Sequence, residues 1–225
     1  MKKVIIIFTY KIQRSKFMKF TKLSLIAALA VSAMTTSAMA ELEVSANASV
    51  TNNYVWRGMT QTSNNAAVQG GLDIGIGGFY LGTWASNVTN DTEVDGYVGY
   101  AGEIDGLSYD LGAIRYGYLD APSGNFNEAY LGLGYDFGSA SLGATYSKGL
   151  DNAPDDIAVD LSVPVQDYSL DLAYGDYDTV GTRYSVGVSR SFDKIDFSVA
   201  YHNFDHDTTA TSDEKNVVVS VGTSF

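Results

Sequence analysis

The chain has no cysteine and only three prolines and two histidines among its 225 residues. The absence of cysteine excludes disulfide bonds, thiol catalysis and thiolate metal sites. Basic residues are also scarce, 14 against 26 acidic ones, and seven of the 14 lie in the first forty positions, where no acid occurs. Residues 41–225 therefore carry a formal net charge of −19, which is unsuited to binding nucleic acid or an anionic membrane surface.

The first forty residues have the composition of an export signal. From Met18, the sequence MKFTKLSLIAALAVSAMTTSAMA gives a basic start, a short apolar run and small residues at its end. We predict that residues 1–40 are an N-terminal extension plus a cleaved signal peptide, that Met18 is the true start, and that 41–225 form one domain. An N-terminal membrane anchor is the alternative, although a spanning helix needs about 20 apolar residues and this run is shorter.

Beyond Ala40, apolar and polar residues alternate, and no segment keeps the 3.6-residue period of an amphipathic helix. The alternation is clearest over 42–51, 128–137, 157–163, 168–175 and 195–202. Short turns such as Gly77-Gly78 and Asp105-Gly106 follow every second run, and longer polar loops follow the others. Five short turns and six long loops predict twelve antiparallel strands, with ten or fourteen as the alternatives if a strand boundary is misread. The first strand is predicted over 42–59, with Tyr54 and Trp56 on its lipid-facing side near the outer end.

These features predict an all-β fold, a single antiparallel up-and-down transmembrane β-barrel in the outer membrane. Aromatic residues near the ends of the apolar strand faces suit the two interfacial girdles of such a barrel, and they are Tyr135, Phe137, Tyr168, Tyr174, Phe197 and Tyr201. A closed barrel also pairs every backbone hydrogen-bonding group in lipid. A secreted β-sandwich is the alternative, because alternation alone does not show whether the apolar face meets lipid or a dry core.

Three segments resemble one known family. They are YVWRGMTQT at 54–62, VQGGLDIG at 68–75 and GFYLGTWASNV at 78–88, and they resemble the TorF family of candidate porins. The resemblance implies an outer-membrane channel of unproven substrate and supplies no catalytic residue. The last strand, which ends in Phe225, resembles the targeting strand that the barrel-assembly machinery recognises.

Strand parity predicts that eight charged side chains line the pore: Arg57, Asp73, Asp95, Glu128, Asp160, Asp171, Arg183 and Asp196. An acid-dominated lining disfavours anions, so it favours cations or neutral solutes. Arg57 and Arg183 could set a constriction or brace the wall through buried ion pairs. Arg115 shares the parity of outward apolar residues, which requires a bulge or a position near the rim. A register shift of one residue would reverse any of these assignments.

The two histidines, His202 and His206, lie in HNFDHD at 202–207. A metal site with Asp205 or Asp207 is one hypothesis, but HxxxH spacing brings ligands together on a helix, and here it straddles a strand end and a loop. A hydrolytic site at the rim around His206 is another, although no serine adjoins it. We predict that the protein is not an enzyme and needs no cofactor.

Acids are frequent in the predicted outer loops, Asp155 and Asp156 among them. They could bind calcium, or bind the phosphates of lipopolysaccharide through divalent ions, or be only solvated. The overall prediction is a passive pore for small solutes, surrounded by outer-membrane lipid and lipopolysaccharide. A non-conducting structural or surface-binding barrel, acting through its acidic outer loops, is the alternative.

Overall fold

The computed structural model describes residues 42–225, so the predicted signal peptide and its start at Met18 lie outside the described residues. The described chain forms a closed barrel of twelve antiparallel strands, which confirms the predicted fold. A small hairpin, β2 (Val55–Trp56) and β3 (Met59–Thr60), follows the first barrel strand. The barrel strands are β1 (Glu43–Thr51), β4 (Ala67–Ile76), β5 (Phe79–Val88), β6 (Asp91–Ile104), β7 (Leu107–Tyr116), β8 (Phe126–Asp136), β9 (Ser141–Gly149), β10 (Asp156–Val165), β11 (Tyr168–Tyr177), β12 (Gly181–Phe192), β13 (Ile195–His206) and β14 (Glu214–Ser224).

Each barrel strand pairs with its neighbours in sequence, and β1 pairs with β14 to close the cylinder. The five predicted short turns all lie at one end of the barrel, called here the short-turn end. The opposite end, called the long-loop end, carries the connections at 117–125, 150–155 and 207–213. Two connections predicted to be long are tight instead, at 89–90 and 178–180, because the strands on each side continue further than their apolar residues suggested.

The apolar side chains of the strands point outward. Leu131, Val159 and Leu172 are 45%, 44% and 36% exposed, and Val68 and Phe79 exceed 60%. These residues would meet one another in a dry centre if the fold were a sandwich. Their exposure all around a closed barrel excludes the sandwich and provides the apolar belt that lipid requires.

Aromatic side chains concentrate near both ends of this belt. The pairs Phe79–Tyr100 and Tyr135–Phe137, with ring centroids 4.7 and 4.8 Å apart, lie toward the short-turn end. Tyr184 lies toward the long-loop end, 6.1 Å from the ring of Tyr201. The six aromatic residues predicted to form girdles all have the parity of the outer face.

The first barrel strand is shorter than predicted, because β1 ends at Thr51 rather than at Met59. The Asn52 side chain takes the place of the next ladder residue: its amide donates to the Val217 carbonyl and its oxygen accepts the Val219 N–H. The chain is then free to leave the wall. Tyr54 and Trp56, predicted on the lipid face, turn into the barrel instead. In residues 42–225 no helix is long and apolar enough to cross a membrane.

Candidate functional site

The hairpin β2–β3 ends in a two-residue turn formed by Arg57 and Gly58. Trp56 pairs with Met59 across it, and the φ angles of Arg57 and Gly58 are 47° and 86°. Positive φ at both central residues is the signature of a type I′ turn. For arginine this left-handed conformation costs about 1–2 kcal/mol, so the surroundings must hold the turn in place.

Arg57 is held by contacts on every side of its guanidinium group. Its two terminal nitrogens donate to the Glu128 carboxylate at 2.7 and 2.8 Å, a bidentate geometry. Its Nε lies 3.5 Å from an Asp156 oxygen. The guanidinium also stacks on Trp56 and Tyr177, with its carbon 4.4 and 4.6 Å from the ring centroids. The Arg57 side chain is fully buried as a result.

Asp156 connects this contact to a second arginine, Arg183, which donates to both carboxylate oxygens at 2.5 and 2.8 Å. Arg57, Glu128, Asp156 and Arg183, called here the charge cluster, combine two positive and two negative groups, so the cluster is neutral. Burying four charges is costly, and this geometry offsets the cost because each charge meets an opposite one. Burial alone would lower the pKa of Arg57, but the bonds to Glu128 and the charge of Asp156 outweigh it and raise the pKa. Arg57 therefore stays charged at any physiological pH.

Other hairpin residues reach the remaining sides of the barrel. The Tyr54 hydroxyl donates to Glu93 on β6 at 3.1 Å, and the Asn53 amide donates to Asn216 on β14 at 3.2 Å. The Thr60 N–H donates to Glu214 at 2.7 Å. Together with the charge cluster on β8, β10 and β12, these bonds attach the hairpin to strands all around the wall. The segment 52–66 therefore crosses the lumen and constricts it at the long-loop end.

The eight charged residues predicted to line the pore have inward parity or lie inside the lumen. Arg57 lies on the inserted hairpin rather than on the wall. Glu128, Arg183 and Asp95 are on the wall beside the hairpin, and Glu128 and Asp95 are 0% and 4% exposed. Asp95 accepts the Gly117 N–H at 3.3 Å, and no arginine or lysine of the described chain pairs with it.

The other four acids lie further toward the short-turn end. Asp73 accepts the Tyr97 hydroxyl at 2.6 Å, and Asp171 accepts from three serines. Asp160 accepts no hydrogen bond from the described residues. Asp196 is exposed near the rim, where Ser191 donates to it. This half of the lumen is rich in carboxylates and hydroxyl groups, whereas the two inward arginines both lie beside the hairpin.

Two further residues, Asp156 and Arg115, differ from the predicted place or had been left open. Asp156, predicted among the solvated loop acids, is instead 4% exposed and part of the charge cluster. The sequence did contain a signal for this position. Extending the alternating run 157–163 by one residue gives Asp156 the same inward parity as Ala158 and Asp160. Arg115 is exposed on the outer face near the strand end, as one of the two alternatives required, with its side chain donating to Asn127 at 3.3 Å.

The two histidines have different surroundings. The ring of His206 meets that of Phe204 edge-to-face, with centroids 4.7 Å apart, and the His206 Nε2 lies 4.0 Å from Glu214. His202 lies four residues before His206, on the inward face of β13, and borders a cavity below the hairpin. Across residues 42–225, no three histidine or acidic side chains are arranged to hold a metal ion.

Substituting Gly58 tests whether the hairpin tip is packed as described. A β-carbon there would lie 3.1 Å from Phe204 and 3.2 Å from Arg183, in addition to the strain of φ +86°. We expect Gly58→Ala to lower the free energy of unfolding by about 1–2 kcal/mol for the backbone and by about 1–3 kcal/mol more for the crowding. Urea unfolding in detergent, followed by tryptophan fluorescence, measures this loss.

Gly138→Ala is the matched control. Gly138 has nearly the same backbone angle, φ +81°, but nothing lies within 4 Å of the added carbon. It should therefore show only the backbone loss. Equal losses in the two variants would mean that the hairpin tip does not pack against Phe204 and Arg183.

The barrel is similar in fold to two solved structures of porins. The structure described as KdgM porin superposes with a TM-score of 0.57 at 12% identity, covering 81% of this chain and 97% of that one. A NanC porin structure gives a TM-score of 0.53 at 13% identity, covering 81% and 99%. At such low identity the likeness concerns the fold alone.

Comparison at the level of sequence identifies a family. Comparison with curated proteins finds no match to this chain. A family model described as a bacterial protein of unknown function, Gcw_chp, matches residues 35–225, which include the whole barrel and the inserted hairpin. The chain therefore belongs to the Gcw_chp family of bacterial proteins.

Proposed function

We propose that this protein is a passive channel of the outer membrane, narrowed by its hairpin, for small cations and neutral solutes. The long-loop end faces the outside of the cell, as in other barrels of this architecture. The resemblance to the TorF porins supports this assignment, and so does the fold shared with KdgM and NanC porins. Solutes would follow their gradient, and no cofactor takes part.

The observation that carries the proposal is the chemistry of the contacts between hairpin and wall. The hairpin is attached through ion pairs and hydrogen bonds as well as aromatic contacts, with Arg57, Asn53 and Tyr54 as examples. A barrel that served only as a solid structural plug could be filled with apolar side chains. A lumen lined by polar groups supports water and dissolved solutes instead.

The charge of the lumen sets the expected selectivity. The charge cluster is neutral, and the carboxylates beyond it, such as Asp73, Asp171 and Asp196, have no arginine or lysine partner among the described residues. A negative wall raises the barrier for anions and lowers it for cations. The narrowing hairpin excludes large solutes by size.

Reconstitution into planar bilayers tests the proposal. We expect small, steady single-channel currents, and a reversal potential in a KCl gradient that indicates cation preference. Neutralising the carboxylates nearest the short-turn end, with Asp73→Asn and Asp196→Asn together, should move the reversal potential toward zero. Exposed acids of the loops, neutralised in Asp151→Asn with Asp207→Asn, serve as the control and should change it less.

The same experiment also tests the alternative function, that of a non-conducting barrel. A non-conducting barrel that acts through its outer loops would give no current although it is folded, as shown by heat-dependent gel mobility. Anion preference with a folded protein would contradict the proposed selectivity but leave the channel in place.

A further inference from the structure

A cavity of about 70 Å³ lies directly below the hairpin, on the side facing the short-turn end. Arg57 and Gly58 form its roof, and strands β9 to β13 form its wall. Besides Arg57, Asp156 and Arg183 of the charge cluster, five side chains with polar groups border it: Thr145, Ser147, Asp160, Ser185 and His202. None of these five side chains makes a hydrogen bond or ion pair with any other described residue.

These polar groups can take partners from outside the protein. Ser147 is buried and the other four side chains are half-buried, so water or a solute in the lumen supplies the hydrogen bonds that the described residues do not. A volume of about 70 Å³ is room for about two water molecules, or for a small polar group of a solute. The cavity therefore has both the volume and the polar groups to hold an occupant that forms hydrogen bonds with its wall.

The charge around the cavity indicates the sign of that occupant. The two arginines are neutralised by Glu128 and Asp156. Asp160 is left over, because the ion pairs of the described residues balance both arginines and include no partner for its carboxylate. Asp171, a neighbouring acid on β11, is hydrogen-bonded to serines and has no basic partner among the described residues either. A half-buried carboxylate without a cationic partner in the protein favours a bound cation.

The position of Asp160 is fixed by the residue opposite it. Asp160 pairs with Gly143 on β9, and a β-carbon at Gly143 would lie 2.5 Å from one carboxylate oxygen and 2.6 Å from the other. Only glycine at this position leaves the space that the carboxylate occupies. The wall is thus shaped around an inward carboxylate that contacts no protein donor.

The remaining wall groups indicate the kind of cation. Hydroxyl oxygens of serine and threonine and the unprotonated nitrogen of an imidazole accept hydrogen bonds. An ammonium group offers three N–H donors and no acceptor. A metal ion fits less well, because no group of three histidine or acidic side chains in the described residues could hold one.

We propose that this cavity binds the primary ammonium group of a small amine, with Asp160 as its counter-charge and Thr145, Ser147, Ser185 and His202 as further acceptors. The rest of the solute would extend toward the short-turn end. This site depends on the proposed channel function. Small primary amines would be the class of solute that the channel holds at its constriction.

Equilibrium binding to the folded protein in detergent tests the site. Propylammonium chloride is the probe, measured by isothermal titration calorimetry, and tetramethylammonium, which has the same charge but no N–H donor, is the reference compound. We expect propylammonium to bind and tetramethylammonium to bind much more weakly. Asp160→Asn should weaken propylammonium binding about ten- to a hundredfold, because it removes a charge-assisted hydrogen bond.

Two further variants make the result decisive. Asp110→Asn is the matched control, since Asp110 on β7 also has inward parity but accepts the Tyr80 hydroxyl, at 2.5 Å, and does not border the cavity. It should leave the affinity unchanged. Gly143→Ala keeps the charge of Asp160 but displaces its carboxylate, so it should also weaken binding. It provides a second readout if Asp160→Asn does not fold.

Several outcomes would overturn the proposal. Equal affinity of wild type and Asp160→Asn would do so, as would equal binding of the two cations or tighter binding of 1-propanol than of propylammonium. Because the measurement needs no current, its failure is separate from failure of the channel. A protein that conducts but does not bind propylammonium keeps the proposed function and loses the site.

Discussion

Replacing residues 54–62 by a Gly-Ser segment of equal length is expected to raise the single-channel conductance by about an order of magnitude. The reason is geometric. This segment carries the hairpin whose contacts reach β6, β8, β10 and β14, so it fills the lumen at the long-loop end. A barrel of this strand number, without the insertion, leaves a wider aqueous path. Single-channel recording in planar bilayers measures the change.

The control replaces another long connection that stays outside the lumen. Residues 208–212 between β13 and β14 are exposed, and their replacement by Gly-Ser should leave the conductance near that of the wild type. Heat-dependent gel mobility shows whether each variant is folded. Unchanged conductance in a folded hairpin variant would mean that the hairpin does not limit flow, and the proposed constriction would be wrong.

Arg57→Met is expected to raise the equilibrium constant for opening of the hairpin by about two to three orders of magnitude. The substitution leaves Glu128, which is 0% exposed, without its bidentate partner. Removing one partner of a buried ion pair costs about 3–5 kcal/mol, because the other charge remains buried and uncompensated. The hairpin can relieve this cost by leaving its site and letting water reach the carboxylate.

The absence of cysteine makes the opening directly measurable. Val55 on β2 is 7% exposed, so a maleimide reacts with Val55→Cys only when the hairpin opens. Adding Arg57→Met should speed this labelling about 10²- to 10³-fold. The control is Arg190→Met, which removes an arginine that also stacks on two aromatic rings, Tyr168 and Phe192, but lies outside the lumen.

A rescue variant separates loss of the ion pair from loss of packing. Adding Glu128→Gln to Arg57→Met removes the uncompensated charge, so labelling should slow again toward the rate of the protein with only the cysteine. If Arg57→Met labels no faster than Arg190→Met, the hairpin is held by its other contacts and Arg57 is not its anchor.

Most of the fold and of the pore lining could be predicted from strand alternation, because side chains alternate between lipid and lumen along every strand of a barrel wall. A residue two positions along a strand faces the same side, so the inward parity of Asp73, Asp160 and Asp171 followed once one apolar residue of each strand was assigned to lipid. Arg115 has the parity of the outward apolar residues of β7, and its place near the rim explains how this charge lies on the outer face.

The hairpin could not be predicted by the same rule. Tyr54 and Trp56 continue the alternation of β1, so parity placed them on lipid, whereas the chain leaves the wall at Asn52. Their burial depends on partners far away in sequence, Glu93 for Tyr54 and Tyr116 and Tyr177 for Trp56. The local signal was the pair Arg57-Gly58, a turn sequence within what was interpreted as a continuous strand.

The pairing of β1 with β14 has a consequence for how the barrel comes apart. This contact joins five residue pairs, whereas every other contact between barrel strands joins seven to twelve. Bonds between Ala46 and Phe225 extend it at the short-turn end, and the bonds of Asn52 to Val217 and Val219 extend it at the long-loop end. Heat or mechanical force should therefore split the cylinder along this line first. Since the hairpin continues directly from β1, such a split would pull the Arg57 anchor away from Glu128, and loss of the wall and emptying of the lumen would become one event.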